Sequence, residues 1–244
     1  MIAKGSLEYW LIFAATLFVV AVKLFMLVYI EIRIKKQKKI NKSLSTIFMR
    51  ATWVLILCLF ISRIFYMIFD FHLTSFDESL YFLEPNIWYW KTGQFIVGIG
   101  LATMVFVVDR KILDFKLRGI ISYIILVGSV ITLLIPVANE QDFNFVSIIS
   151  SLPQVGIVVV AIVFINIAVK TSGEVRKTAS ILIIAFMLYG LSAIVVNAAL
   201  IDVLDALLAD TTTQSIEIYM YIIQAAGKSI GIVLIAYGAS RFGN

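Results

Sequence analysis

Apolar residues in this chain neither alternate nor keep to one helical stripe. They fill windows of about twenty residues almost without interruption, separated by short polar links. A bilayer core about 30 Å thick needs roughly twenty such residues at a rise of about 1.5 Å each. Windows of this kind run over 9–32, 45–70, 87–108, 118–137, 146–169, 178–201 and 214–240. The pattern predicts an all-α membrane protein, one seven-transmembrane-helix bundle over residues 1–244. The links are too short for a soluble domain, and no repeat or low-complexity tract interrupts them. The first window, "LIFAATLFVVAVKLFMLVYI", is too long for the apolar core of a signal peptide. It runs into a basic block instead of a small-residue cleavage site, so it is read as a retained helix.

Composition agrees: 61% of residues are hydrophobic, 14% are charged, and the mean hydropathy is +1.02, outside the range of soluble domains. A net charge of +5 raises nucleic acid as a partner, but the positions of the charges argue for membrane sidedness instead. The first link carries Arg33, Lys35, Lys36, Lys38, Lys39 and Lys42; the third holds Arg110, Lys111, Lys116 and Arg118; the fifth holds Lys170, Arg176 and Lys177. Asp77, Glu78, Glu84, Glu140, Asp142, Asp202, Asp205 and Asp210 occupy the even links, which have no Lys or Arg. Basic residues resist translocation, so the odd links are expected in the cytoplasm, with the N-terminus outside and the C-terminus inside. The basic links suit anionic lipid or a cytoplasmic protein partner.

Polar side chains inside the apolar windows mark candidate chemistry, because each is costly in lipid. In the seventh window Glu217, Tyr221, Gln224 and Lys228 recur at spacings of four, three and four, one stripe of a helix turning about 100° per residue. The third window carries Lys91 and Gln94, and the second carries Arg63, Tyr66 and Asp70. Counting depth along each helix gives two layers. Arg63, Lys91, Gln94 and Glu217 are expected together near the outer boundary, as a pocket for a small anionic ligand or as an ion-pair network with Asp70. Lys228 and Lys23 are expected deeper, without a carboxylate at their level. Burial of that kind favours an uncharged Lys228, bonded to Gln224 or to backbone carbonyls.

A lysine midway along a seventh helix brings a resemblance. "IIQAAGKSIGIVLIAYGASRFG" resembles the last helix of microbial rhodopsins, which implies retinal on Lys228 as an alternative cofactor. The chain departs from that family at Gln224, where an acid is usual, and in the sixth window, "ILIIAFMLYGLSAIVVNAAL", which lacks Trp and Pro. The third window also has no carboxylate counterion. "VVDRKI", with Asp109 and Arg110 closing the third window, resembles the corresponding boundary of G-protein-coupled receptors, although the seventh window has no Asn-Pro-x-x-Tyr. "SRIFYMIFDFHLTSFDESLY" with "WKTG" and "VVDRK" is similar to uncharacterised archaeal seven-helix membrane proteins, a resemblance that implies no activity.

Enzyme chemistry finds little footing. The single histidine, His72, is expected at the outer rim of the second helix, so neither a His-rich metal site nor a Ser-His-Asp triad can be assembled inside the bundle, and Cys58 is the single cysteine. Pro136 near the end of the fourth window, and Pro153 beside Gln154 in the fifth, are candidates for broken-helix geometry. The expectation is a multi-pass protein of the cell membrane without catalytic activity, sensor or receptor-like, with a small transporter as the alternative.

Overall fold

The computed structural model describes residues 4–38, 43–195 and 213–242, with side chains over 4–37, 45–195 and 218–242. Lys39, Lys42, Asp202, Asp205, Asp210 and the side chain of Glu217 lie outside these residues. Eight α-helices are described: α1 (Leu7–Lys38), α2 (Ser43–Met67), α3 (Asn86–Lys111), α4 (Ile120–Leu134), α5 (Glu140–Ile149), α6 (Leu152–Lys170), α7 (Gly173–Ile194) and α8 (Thr213–Arg241). No strand is present among the described residues. Six segments are long and apolar enough to cross a membrane: Leu7–Gln37, Ser45–Leu73, Asn86–Lys111, Glu140–Lys170, Gly173–Ile194 and Ile218–Arg241. They mark an integral, multi-pass membrane protein. Large apolar side chains cover their outward faces, among them Phe18, Phe25, Val158 and Ile162, as a lipid-facing surface requires.

Three expected spans are modified, each for a local reason. The fourth is shorter than its apolar window, because Pro136 forces the preceding residue out of the helical region. Ile135 is extended (φ −60°, ψ 125°), and α4 stops at 15 residues. At about 1.5 Å per residue that is some 22 Å, short of a bilayer core. The fifth is broken into α5 and α6. Pro153 has no N–H to give the carbonyl of Ile149, and its ring would clash there, so α5 ends at Ile149 and Pro153 sits in the first turn of α6. The second ends in a wider π-helical turn, Ile68–Leu73, which carries Asp70. Much of the basic charge assigned to links lies on helix ends instead: Arg33 and Lys35 on α1, Arg110 and Lys111 on α3, Lys170 on α6, Arg176 and Lys177 on α7.

Neighbouring helices close a ring in the order α1, α2, α3, α4, α6, α7, α8 and back to α1. α3 also touches α6 directly, which leaves α4 on the periphery. One end of the ring carries the basic helix ends; the other carries Asp77, Glu78, Glu84, Glu140 and Asp142. Towards the basic end the core is dense, with Phe48, Phe164 and Phe242 in mutual ring contact at 5.1–5.7 Å. Glycines permit close helix approach there and at mid-depth. A Cβ at Gly227 on α8 would come within 2.7 Å of Ser192 Cβ on α7.

Asp109 receives a structural role. Its two carboxylate oxygens accept the backbone N–H groups of Leu117 (2.9 Å) and Gly119 (2.7 Å), tying the α3–α4 connection to the end of α3. Asp114, Phe115, Arg118 and Gly119 in that connection all have positive φ, so the loop runs through conformations that need such an anchor.

Candidate functional site

Six rods of the ring, all except α4, enclose a cavity of about 210 Å³ at the centre of the bundle. α1 contributes Lys23, α2 contributes Leu59, Ser62, Arg63 and Tyr66, and α3 contributes Gln94, Val97 and Leu101. The α5–α6 break supplies Ser150, Pro153, Gln154 and Ile157; α7 supplies Tyr189 and Ala193; α8 supplies Lys228. Gln154 alone among these is exposed and sits at the rim.

Three cations thus share one space. Lys23 is 3% exposed and its amine donates to the carbonyl oxygen of Leu59 at 2.6 Å; the same carbonyl accepts from Ser62 Oγ at 3.1 Å. Arg63 donates from Nη2 to Thr16 Oγ1 at 2.9 Å, and its Nη1 stands 3.8 Å from Asp70 Oδ2. Asp70 answers Arg63 from outside the cavity lining, two helical turns further along the same face. Lys228 is different. Among the described residues its amine has no hydrogen-bond partner, and neither do the side chains of Tyr66, Gln94, Gln154 and Tyr189. These five polar groups meet at a space that no group of the described residues fills.

Arg63 and Lys228 also border a second, water-sized space of about 10 Å³, enclosed by Ile12, Thr16, Val19, Tyr221, Gln224 and Ala225. Gln224 is 9% exposed and faces it. The expected stripe on the last helix is therefore present for Tyr221, Gln224 and Lys228, while Glu217 lies outside the described side chains. The expected hydrogen bond between Lys228 and Gln224 is absent; the two share a wall without touching through polar atoms.

Two expectations about depth are corrected. Lys91 does not join Arg63. Its amine donates to the carbonyl of Ile135, just beyond α4, and lies 5.2 Å from the centre of the Trp88 ring. Side chains on a helix lean towards its N-terminus, which carries Lys91 along α3 towards the acidic end. There it satisfies an orphan carbonyl at the negative end of the α4 dipole. The same lean lifts Lys228 along α8 towards Arg63, so the two layers counted from backbone positions merge into one cavity. Asp70, expected at the rim of the outer layer, stands beside Arg63. Tyr189 was missed as a site element, whereas the α5–α6 break falls at Pro153 and Gln154, the expected broken-helix candidates. Tyr189 lies within "FMLYG", with Ser192 as its single polar neighbour at helical spacing.

No protein-family model matches the chain, and no curated protein or solved structure matches it. The chemistry of the cavity is therefore the basis for a functional reading.

Proposed function

We propose that this chain is a sensor or receptor-like module of seven transmembrane spans that binds a small anion in its central cavity, without catalysing a reaction on it. The reading rests chiefly on Lys228. A lysine amine without a hydrogen-bond partner among the described residues, near the middle of a bilayer-length helix, faces a cavity beside Arg63 and Lys23. Among the described residues the one carboxylate paired with any of the three is Asp70, on Arg63. Lys228, expected uncharged when buried without a counter-charge, becomes a cation when an anion binds beside it and supplies one, and Tyr66, Gln94 and Tyr189 hold donors ready for it. We assign no resident cofactor to the cavity. Titrating acetate into the purified protein in lipid nanodiscs should give saturable heat. Lys228→Met, which keeps side-chain length and loses the charge, should abolish that heat with the fold preserved. Equal heats from both proteins would remove the basis of this reading.

In this reading the N-terminus is outside and the C-terminus cytoplasmic, with the ligand reached from the acidic end. Support comes from the basic helix ends gathered on one side, and from the Phe48, Phe164 and Phe242 packing that closes the bundle there. On a Cys58→Ser background, Glu78→Cys should react with an impermeant thiol reagent added to intact cells. Ser172→Cys should react only after permeabilisation. The opposite labelling would invert the topology.

A transporter remains the second reading because one observation favours it: the broken helix α5–α6 turns its break, Ser150 to Gln154, onto the cavity. Uptake of radiolabelled acetate into proteoliposomes separates the two, since a receptor binds without net flux.

A further inference from the structure

The cavity has two kinds of wall, and on α2, α3 and α6 their order along the helix repeats. On α2 the lining residues nearest the acidic end are Arg63 and Tyr66, and the one nearest the basic end is Leu59. On α3 Gln94 gives way to Val97 and Leu101 in the same direction. On α6 Gln154 gives way to Ile157. Three helices independently place polar groups towards one end and aliphatic groups towards the other. The outcome is an aliphatic floor of Val97, Leu101 and Ile157 beneath donors and cations, bordered by Tyr189 on α7, where the order reverses, and by the Lys23 amine at the Leu59 carbonyl. An inorganic anion would leave that floor in contact with water or with nothing, and an aliphatic surface gains by being covered.

From this arrangement we infer that the cavity selects a short-chain aliphatic monocarboxylate, with the carboxylate at Lys228 and Arg63 and the alkyl tail on the Val97–Leu101–Ile157 floor. The inference rests on the anion reading above and narrows it to one ligand class. Size sets the chain length. A cavity of about 150 Å³ accepts a benzene ring, so one of 210 Å³ takes about eight non-hydrogen atoms. Butyrate and valerate fit that limit, while a membrane fatty acid such as palmitate exceeds it. A second carboxylate placed on the Val97–Leu101–Ile157 floor would be buried without a partner, which is unfavourable. Succinate should therefore bind more weakly than butyrate.

Calorimetric titration of the protein in nanodiscs with chloride, acetate, propionate, butyrate, valerate, succinate and palmitate tests this. Affinity should rise about fourfold with each methylene from acetate to butyrate, be lower for succinate than for butyrate, and be lost at palmitate. Val97→Phe, which fills the floor, should remove the advantage of butyrate over acetate. Should that variant not fold, Ile157→Phe fills the same floor from α6. Chloride binding as tightly as butyrate would overturn the carboxylate inference and leave the anion reading standing. Palmitate binding tightest would also overturn it, in favour of a ligand drawn from the bilayer. Absence of binding by every anion would defeat the anion reading itself.

Discussion

Asp70→Ala should lower the melting temperature of the detergent-solubilised protein more than any other single substitution around the cavity. Asp70 is the acid paired with Arg63, whose guanidinium shares the space with Lys23 and Lys228. Removing it leaves the Arg63 guanidinium without its carboxylate, beside two buried lysines in a medium of low dielectric. Losing one partner of a fully buried ion pair costs about 3–5 kcal/mol. Here Arg63 and Asp70 are 15% and 21% exposed and 3.8 Å apart, so about 2–3 kcal/mol is the expected loss. The double variant Asp70→Ala with Arg63→Met should recover part of it, because the uncompensated charge leaves with the arginine. Acetate should raise the melting temperature of Asp70→Ala more than that of the unaltered protein, since a bound anion replaces the missing carboxylate. Strictly additive losses in the double variant would mean that the pair does not act as a unit.

Gly98→Ala is the second large effect, and it arises from packing. α3 approaches α4 so closely that a Cβ at Gly98 would overlap the Ser129 hydroxyl and stand 2.6 Å from Ser129 Cβ. Ser129 is 2% exposed and its hydroxyl already donates to the carbonyl of Ile125, so the collision is with a side chain held in place. Overpacking of this kind costs about 1–3 kcal/mol. The variant should melt lower, and Ser129→Gly in the same chain should restore much of the loss by reopening the space. A double variant no better than Gly98→Ala would show that the two helices do not meet at this point.

The helical class and the membrane were legible in the sequence because both depend on runs of apolar residues, which no tertiary contact can disguise. The tips of the rods were less so. Pro136 and Pro153 were noticed as irregularities, yet only packing decides that the first trims a helix and the second splits one. Within the site, spacing on α8 correctly grouped Tyr221, Gln224 and Lys228, since residues on one helix carry their own geometry. Spacing cannot align different helices in depth. Lys91 and Arg63 looked level when counted from their backbones, but a lysine stem reaches about 6 Å, and the lean along α3 carries the Lys91 amine to Ile135 instead. Lys228 and Arg63 looked separated, and the same lean brings them to one cavity. The mistake and the success thus have one cause: long cationic side chains end far from their Cα atoms.

The presence of an anion beside Lys228 can be tested directly. Crystals of the protein grown with bromide as the halide, measured at the bromine absorption edge, report the anion's position independently of any functional assay. Bromide is smaller than the carboxylates inferred above, but it answers the same positive charge. An anomalous peak within the cavity, in contact with the Lys228 amine and lost in Lys228→Met, is the result predicted. A cavity without bromide, in crystals whose maps show bromide elsewhere on the protein, would contradict the anion site.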